Sequence, residues 1–364
     1  MHQSQCNKPN DRPAGVRLTA AAILVLCVLS MAACGAVTEK KEYVYAAEDK
    51  SLRDRVSTVF NKSGLVHGGE RLQVLERMQN KHFVRVRTPR GEEGWLQERY
   101  LVDQPTFEQF QRLSEQQANT AAQGTATTEE QVRIHISPGR KTSYLFMLPE
   151  KQKVELLQRQ TVPRNAKASP VKDQKDKDDT DDDEQEKPNQ PVIMEDWWLI
   201  RDQQKRAGWV YGRTLYLSVP DEVAQYAEGQ RIVAAFALDE VKDGDKNVGE
   251  YLVLLTEPKD GMPYDFNQAR VYTWNTRKHR YETAYRERNL YGTLPVTLGQ
   301  QDFGKEGALR TFTLQLQDDD GQKRQQLYKF NSPIVRKVFA PGEEPPKPRR
   351  RKTEATPKKP KRQG

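Results

Sequence analysis

Short runs in which apolar and polar residues alternate fill most of the chain from residue 42 to residue 340. In the run Phe83-Val84-Arg85-Val86-Arg87, the two valines would share one face of a strand, because successive side chains of a strand point to opposite sides. Glycine residues such as Gly69 and Gly91 separate the runs and mark turns. The pattern predicts an all-β protein made of short strands.

One block of sequence occurs twice. Gly94-Trp95-Leu96-Gln97-Glu98-Arg99-Tyr100-Leu101 recurs as Gly208-Trp209-Val210-Tyr211-Gly212-Arg213-Thr214-Leu215. Further upstream, Leu72-Gln73-Val74-Leu75-Glu76-Arg77 matches Val154-Glu155-Leu156-Leu157-Gln158-Arg159. The upstream blocks lie closer together than the Gly-Trp blocks do, which indicates an insertion in the second copy between Arg159 and Trp197.

Each copy has the same order of elements. An apolar–arginine element (Leu52-Arg53-Asp54-Arg55, and more weakly Ile134-His135-Ile136-Ser137-Pro138-Gly139) is followed by an apolar strand, an aromatic-led strand and a closing Gly-Trp segment. This order resembles the bacterial SH3-type (SH3b) domain family, and the chain resembles an envelope lipoprotein that carries two such domains. The resemblance implies two small SH3-like barrels, at 42–103 and 131–219.

The same resemblance implies non-catalytic binding, most often of peptidoglycan or a peptide, in a shallow groove lined by aromatic residues. The candidate ligand-binding residues are Phe83, Tyr100, Trp197, Trp198 and Tyr211. Trp197 and Trp198 are adjacent, so one of them would be exposed unless the C-terminal region covers it. A large ring supplies much of a small core, so a structural role is assigned to Gly94, Trp95, Gly208 and Trp209.

The N-terminal segment 1–33 has the layout of a secretory signal: basic residues, a short apolar run and small residues. Ala32-Ala33-Cys34 resembles the bacterial lipoprotein signal, in which the cysteine becomes diacylated. An ordinary cleaved signal and a retained membrane helix are the alternatives. We expect a lipid anchor at Cys34, a tether at 34–41 and residence on the cell envelope. Because Gly35 follows the cysteine, the resemblance favours the outer membrane in a two-membrane bacterium, and otherwise the outer face of the cytoplasmic membrane.

The three cysteines argue against thiol chemistry. They are Cys6, Cys27 and Cys34, so cleavage before Cys34 would leave only the acylated one. The histidines that follow Cys34 in the sequence do not have the spacing of metal ligands. We therefore expect no enzyme activity, no cofactor and no metal. SH3-type units often accompany papain-like wall endopeptidases, but those need a cysteine nucleophile.

Composition changes the picture between the repeats and at the end of the chain. Only 35% of residues are hydrophobic and 30% are charged, with 59 Lys+Arg against 51 Asp+Glu. Globular domains have roughly 45–50% apolar residues, so we expect part of this chain to be disordered.

Segment 104–130 begins with Phe107, Phe110 and Leu113 at helical spacing and then becomes rich in Gln, Ala and Thr, which predicts a short helix and a flexible linker.

Two segments of opposite charge are predicted to be disordered. An acidic insert at about 165–194 contains Asp181-Asp182-Asp183-Glu184, for which a solvated loop is favoured over a calcium site. The tail 341–364 is basic and proline-rich, with Pro345-Pro346-Lys347-Pro348-Arg349-Arg350-Arg351-Lys352. The tail has three alternatives: binding to anionic envelope polymers, attraction to the acidic insert, or no partner. No nucleic acid is expected.

The C-terminal region 220–340 shows further alternating runs separated by turn signals, and we predict an antiparallel β domain of undetermined topology. Val271–Trp274 and Tyr281–Tyr285 are predicted to form one hairpin. Asp243-Gly244-Asp245-Lys246-Asn247 is similar to a calcium loop but lacks its glycine at the sixth position, so a hairpin turn is favoured.

The leading functional hypothesis is a lipid-anchored envelope protein whose modules recognise peptidoglycan or peptides without catalysis. A membrane-anchored adaptor that mediates protein–protein assembly is the second hypothesis. A wall glycan hydrolase with an unrecognised C-terminal domain is the third.

Overall fold

The computed structural model describes residues 41–165, 192–318 and 320–339 of the chain. The predicted signal with Cys34, most of the predicted acidic insert and the predicted basic tail lie outside these residues. Within them, the strands form three antiparallel seven-stranded sheets and the helices are short, so the protein is all-β as predicted. No helix in these ranges has the length and apolar character needed to cross a bilayer.

The first sheet, which we call the first barrel, extends from Tyr43 to Asp103. Its strands are β1 (Tyr43–Ala46), β2 (Lys50–Arg53), β3 (Lys62–Val66), β4 (Arg71–Met78), β5 (Phe83–Arg87), β6 (Glu93–Gln97) and β7 (Leu101–Asp103). They lie in the order β3-β2-β6-β5-β4-β1-β7. Strands β1 to β6 all contribute to one buried cluster, which contains Val44, Ala46, Leu52, Val66, Leu72, Val84, Val86 and Leu96. The sheet therefore curls around a single small core.

The second sheet, the second barrel, repeats this arrangement. Its strands are β8 (Gly124–Thr128), β9 (Val132–His135), β10 (Tyr144–Leu148), β11 (Lys153–Pro163), β12 (Met194–Arg201), β13 (Ala207–Tyr211) and β14 (Leu215–Leu217). Their order, β10-β9-β13-β12-β11-β8-β14, matches that of the first barrel strand by strand. The insertion lengthens the hairpin formed by β11 and β12.

The two barrels also share their strand register. Tyr43 of β1 lies opposite Gln73 of β4, and the equivalent residues of the second barrel, Thr125 of β8 and Glu155 of β11, lie opposite each other. Both barrels carry a β-bulge at the same place, directly after Val74 in β4 and directly after its counterpart Leu156 in β11. Since a bulge shifts every later pair, its presence in both copies shows that the sequence repeat is a repeat of the pairing itself.

The Cα atom of the glycine in each Gly-Trp motif lies against closely packed atoms of the barrel, where there is no room for a side chain. A Cβ atom placed on Gly94 would lie 2.7 Å from the Cβ of Leu52, and one placed on Gly208 would lie 2.9 Å from the carbonyl oxygen of His135. A side chain does not fit at either position. The tryptophan that follows each glycine consequently points to the outer face of its sheet, because side chains alternate along a strand.

Helix α1 (Gln104–Gln117) corresponds to the predicted short helix and packs against both barrels. The side chain of Asp103 caps it by accepting a hydrogen bond from a first-turn backbone N–H at 2.9 Å. The ring of Phe107 stacks on Tyr45 of the first barrel with 3.7 Å between centroids. Phe110 is buried in the core of the second barrel. The helix thus joins the two barrels through a common apolar contact.

The same helix buries the second tryptophan of the repeat but not the first. Trp209 is 8% exposed and lies in a cluster with Leu157 and Leu199, against which Leu113 of α1 packs. Its counterpart Trp95 is half-buried on the outer face of the first barrel. The two residues assigned the same structural role therefore have different surroundings.

Strand β8 lies in the segment 104–130, where we predicted a flexible linker after the helix. The small and polar residues of this segment do not alternate with apolar ones, so they gave no strand signal. The strand is stabilised by pairing with β11 on one side and with β14 on the other. Ala126, at its centre, is fully buried. The linker prediction is corrected for this part of the segment.

The third sheet forms the C-terminal unit, and a short helix α2 (Asp221–Ala224) precedes it. Its strands are β15 (Arg231–Asp243), β16 (Lys246–Thr256), β17 (Phe266–Asn275), β18 (Arg280–Asp302), β19 (Ala308–Gln317), β20 (Lys323–Asn331) and β21 (Ile334–Val338). They follow one another in sequence order, so the topology is a simple meander. The predicted hairpin is confirmed, with Trp274 opposite Tyr281, and the acidic motif is the β15–β16 turn, with Asp243 opposite Lys246.

The second barrel and the C-terminal unit meet through buried charges and a tryptophan. The guanidinium of Arg159 lies 2.7 Å from a carboxylate oxygen of Asp196 and 2.9 Å from one of Asp265. Trp198 packs against the core of the second barrel and against the core of the C-terminal unit. This junction covers the inward-facing member of the tryptophan pair.

Candidate functional site

A groove with a cavity volume of about 350 Å³ opens on the second barrel. Its lining includes Arg133, His135, Arg140, Met147, Trp197 and Tyr211. These residues come from β9, the β9–β10 loop, β10, β12 and β13. Trp197 and Tyr211 face the groove because their strand neighbours, Trp198 and Val210, face the barrel core. The groove is therefore built on the outer face of the sheet, where Trp197 also packs in the buried cluster that contains Trp209.

Three aromatic side chains form one wall of the groove. The imidazole of His135 meets the edge of Trp197 at 5.2 Å between centroids and an interplanar angle of 81°. Trp197 and Tyr211 lie 5.8 Å apart. Trp197 is 2% exposed, and its buried indole N–H has no hydrogen-bond partner among the described residues. Edge-to-face and tilted contacts of this kind fix ring orientation, so the wall is preformed.

The hydrogen bonds around His135 define its tautomer. Its Nδ1 lies 3.0 Å from the carbonyl oxygen of Thr142 and 3.0 Å from the hydroxyl of the same residue. That hydroxyl itself lies 2.8 Å from the carbonyl oxygens of Ser137 and Gly139, to which it donates. Nδ1 is therefore the donor to the Thr142 carbonyl, and Nε2 carries the lone pair. Burial lowers the pKa of His135 to about 4, so the ring is neutral at physiological pH.

Two arginines place positive charge at the groove. Arg140 donates to the carboxylate of Glu195 at 2.9 Å, and its guanidinium lies 4.8 Å from the ring centroid of Tyr211. Arg133 lies 4.5 Å from the ring centroid of Tyr144, and half of its side chain is exposed. A guanidinium held over an aromatic face keeps a fixed position at little cost in side-chain entropy.

The buried carboxylate of Glu195 fixes the guanidinium group of Arg140 at the groove. It is 1% exposed and accepts hydrogen bonds from Arg140 and from Arg164, the latter at 2.8 Å. Burial alone would raise the pKa of Glu195, but the two guanidinium groups outweigh this effect and lower it. The carboxylate is therefore ionised and fixes the orientation of Arg140.

The groove thus combines an apolar ring wall, a neutral imidazole acceptor and guanidinium donors. Guanidinium groups recognise carboxylates through charge-assisted hydrogen bonds, and ring faces pack on apolar or sugar surfaces. Among residues 41–165, 192–318 and 320–339, no three His, Cys, Asp or Glu side chains are grouped so as to hold a metal ion. The arrangement suits recognition of an anionic ligand that also has an apolar part.

The structure brings two of the five candidate binding residues together in this groove, Trp197 and Tyr211. Phe83 occupies the position in the first barrel that corresponds to Trp197, since it pairs with Gln97 as Trp197 pairs with Tyr211. Tyr100 and Trp198 lie elsewhere. Tyr100 is half-buried under the amine of Lys50, and Trp198 fills the junction with the C-terminal unit.

The sequence analysis did not identify the other groove residues as a site. His135 and Arg140 lie in or beside the weaker apolar–arginine element of the second copy, and neither matches a motif of its own. One difference between the two copies could have indicated the site. His135 occupies the position that Arg53 has in the first barrel, because His135 lies opposite Trp209 and Arg53 lies opposite Trp95. A change of residue type at an equivalent outward-facing position indicates a changed surface rather than a changed core.

Comparison with known proteins adds little. No family model matches the chain, and no curated protein matches it. Among solved structures, the chain is similar to the structure of NlpC2 from Trichomonas vaginalis at 9% sequence identity, over 69% of this chain and 98% of that chain, with a TM-score of 0.16. At that TM-score the likeness carries no argument about fold or function.

Proposed function

We propose that the protein is a non-catalytic, lipid-anchored binding protein of the bacterial cell envelope, and that the groove of its second barrel holds the peptide portion of peptidoglycan. One observation carries the proposal: a single groove pairs the ring wall of Trp197 and Tyr211 with the guanidinium groups of Arg133 and Arg140. The proposed anchor rests on the sequence Ala32-Ala33-Cys34.

The chemistry of the groove supports this ligand class. The short peptides of peptidoglycan carry free carboxylates and apolar alanine methyl groups beside sugar rings. The carboxylates would pair with Arg133, and the apolar groups would pack on the rings.

The proposal is tested by co-sedimentation of the full chain with purified peptidoglycan sacculi at low salt. We expect the chain to sediment, and Arg133→Gln to weaken binding about tenfold, the loss of one charge-assisted hydrogen bond. Arg112→Gln is the matched control, because Arg112 is an equally exposed arginine on α1 outside the groove. It should leave binding unchanged.

Failure to sediment at low salt overturns the proposed ligand. Equal loss in Arg133→Gln and Arg112→Gln would also overturn it, since binding would then follow net charge and not the groove. An adaptor role is favoured instead if the chain ignores sacculi but binds an isolated acidic peptide in a manner that Arg133→Gln abolishes.

A further inference from the structure

A larger groove lies on the C-terminal unit, at the end where two hairpin turns meet. Its cavity volume is about 740 Å³. The β15–β16 turn contributes Asp243 and Asp245 to its lining, and the β17–β18 hairpin contributes Trp274, His279 and Tyr281. The lining also includes Tyr251 and Glu222. The groove therefore combines three aromatic rings with three carboxylates.

The floor of this groove is held by hydrogen bonds. One carboxylate oxygen of Asp243 accepts from the indole N–H of Trp274 at 2.8 Å and lies 2.6 Å from Nδ1 of His279. The hydroxyl of Tyr281 donates to the backbone oxygen of Gly249 at 2.9 Å, and its ring meets Trp274 edge-to-face at 5.0 Å. These contacts fix the ring planes before any ligand arrives.

The charge of the groove is negative. Hydrogen bonds from His279 and then Trp274 lower the pKa of Asp243, which keeps it ionised. Glu222 and Asp245 are exposed carboxylates at the rim. Among the described residues of the lining, Lys246 is the one lysine or arginine. Aromatic rings beside carboxylates are the surroundings that cationic side chains prefer, and aromatic grooves also accept proline-rich segments.

The chain carries a segment with both properties. Pro345-Pro346-Lys347-Pro348 has prolines at the spacing of a Pro-x-x-Pro motif, and Arg349-Arg350-Arg351-Lys352 follows it directly. We propose that the groove of the C-terminal unit is a docking site for this segment of the same chain, with the prolines against Trp274 and Tyr251 and the basic residues against the carboxylates. The groove of the second barrel is a poorer alternative, because its lining has two arginines and one carboxylate, that of Glu130.

The position at which the last strand ends allows this contact. The hydroxyl of Ser332, in the β20–β21 turn, donates to Glu250 at 2.7 Å, so this turn lies beside the strand residue Gly249 that lines the groove. From Ser332, β21 runs about 20 Å to Val338 at roughly 3.3 Å per residue. The chain from Val338 to Pro348 spans up to about 33 Å. The segment is therefore long enough to return to the groove.

The inference is independent of the ligand of the second barrel, and it is tested with the full chain. The probe is a fluorescein-labelled synthetic peptide with the sequence of residues 343–354, and the readout is fluorescence anisotropy. In wild type the groove is already occupied, so the peptide should bind weakly. Replacing residues 349–352 with glutamine in the full chain should free the groove and tighten peptide binding at least about tenfold, as expected when an intramolecular competitor is removed.

A second variant assigns the binding to the groove. Glu222→Gln with Asp245→Asn, added to the glutamine-substituted chain, should weaken peptide binding about tenfold, and both residues are exposed, so folding should be unaffected. Glu129→Gln with Glu150→Gln removes the same charge from exposed positions on the second barrel and should change nothing.

Three results would overturn the inference. One is equal peptide affinity in wild type and in the glutamine-substituted chain. Another is equal loss of binding in the groove pair and the control pair, which would indicate nonspecific attraction. The third is a wild-type dimer that becomes monomeric when residues 349–352 are replaced, because the segment would then dock on a second copy.

Discussion

The two barrels have one pairing scheme and two different outer faces. Their strand orders, registers and bulges coincide, yet the outer positions that correspond to each other hold different residues: Phe83 and Trp197 on one strand, Arg53 and His135 on another. Most inner positions hold small and aliphatic residues in both, with Trp198 in place of Val84 as an exception. The scaffold therefore constrains the inner face, whereas the outer face has diverged.

The divergence changes what the outer face offers to a ligand. In the first barrel the guanidinium of Arg53 lies 4.1 Å from the ring centroid of Phe60 and 5.3 Å from that of Phe83, so the cation covers the rings. In the second barrel the imidazole of His135 takes this position and leaves the wall of Trp197 facing the groove. This substitution thus replaces a guanidinium that lies over ring faces by a neutral imidazole that meets Trp197 edge to face.

The largest difference in stability should appear at the tryptophans of the repeat. Trp209→Ala should lower the free energy of unfolding of the second barrel by about 4 kcal/mol, because a buried ring is lost and its neighbours cannot collapse fully. Trp95→Ala, at the corresponding half-buried position, should cost about 1 kcal/mol. Urea denaturation of the full chain followed by fluorescence measures both. Similar costs for the two variants would show that α1 does not protect the second barrel.

A second difference concerns Arg77 and Arg159, which occupy equivalent positions in the two copies. Arg159→Met should destabilise the protein by about 3 kcal/mol, because Asp265 then stays buried without its guanidinium partner and Asp196 loses the nearer of two, keeping Arg231. Arg77→Met should cost less than about 1 kcal/mol, since Arg77 pairs with Glu98 at the surface. Thermal unfolding of the two variants measures both losses of stability. A small effect at Arg159 would mean that the junction with the C-terminal unit tolerates unpaired carboxylates.

The smallest expected difference is in how the stability of each barrel depends on pH, and it arises in the second barrel. The pKa of His135 is about 4 in the folded chain and about 6.5 when unfolded. Protons therefore bind the unfolded chain more tightly, and stability present above pH 6.5 is lost as the pH falls towards 4. Between pH 7 and pH 5 the loss should be about 2 kcal/mol. The first barrel has Arg53 in place of this histidine, so it lacks this contribution.

His135→Gln provides the control for the pH prediction. The amide does not titrate, so the difference in stability between pH 7 and pH 5 should shrink by the same amount, as followed by urea denaturation at each pH. An unchanged pH dependence in His135→Gln would show that other groups cause the acid sensitivity.

Much of the fold could be predicted from the pattern of residues. The repeat predicted two copies of one pairing scheme. The turn signal at Asp243-Gly244 and the paired runs Val271–Trp274 and Tyr281–Tyr285 predicted two hairpins that the structure confirms. Strand β8 could not be predicted, because Gly124–Thr128 has no alternation and is stabilised by its neighbours on both sides. Local preference is weak for such a segment, and tertiary pairing overrides it.

The candidate site was predictable only in part, for a similar reason. Trp197 and Tyr211 were identified because aromatic residues in a repeat are conspicuous, whereas His135 and Arg140 became site residues through contacts that cross from one strand to another. Trp198 shows the reverse case. It was a candidate binding residue, but it faces the core of the second barrel and also packs against the C-terminal unit.

The order of residues along this chain was sufficient to establish the strand pattern and the duplication, because these depend on alternation within a strand and on likeness between two segments. Which ring is buried, which arginine is paired and where the grooves open depend on helix α1, the β9–β10 loop and the C-terminal unit. Those contacts join residues far apart in sequence, and no local pattern records them.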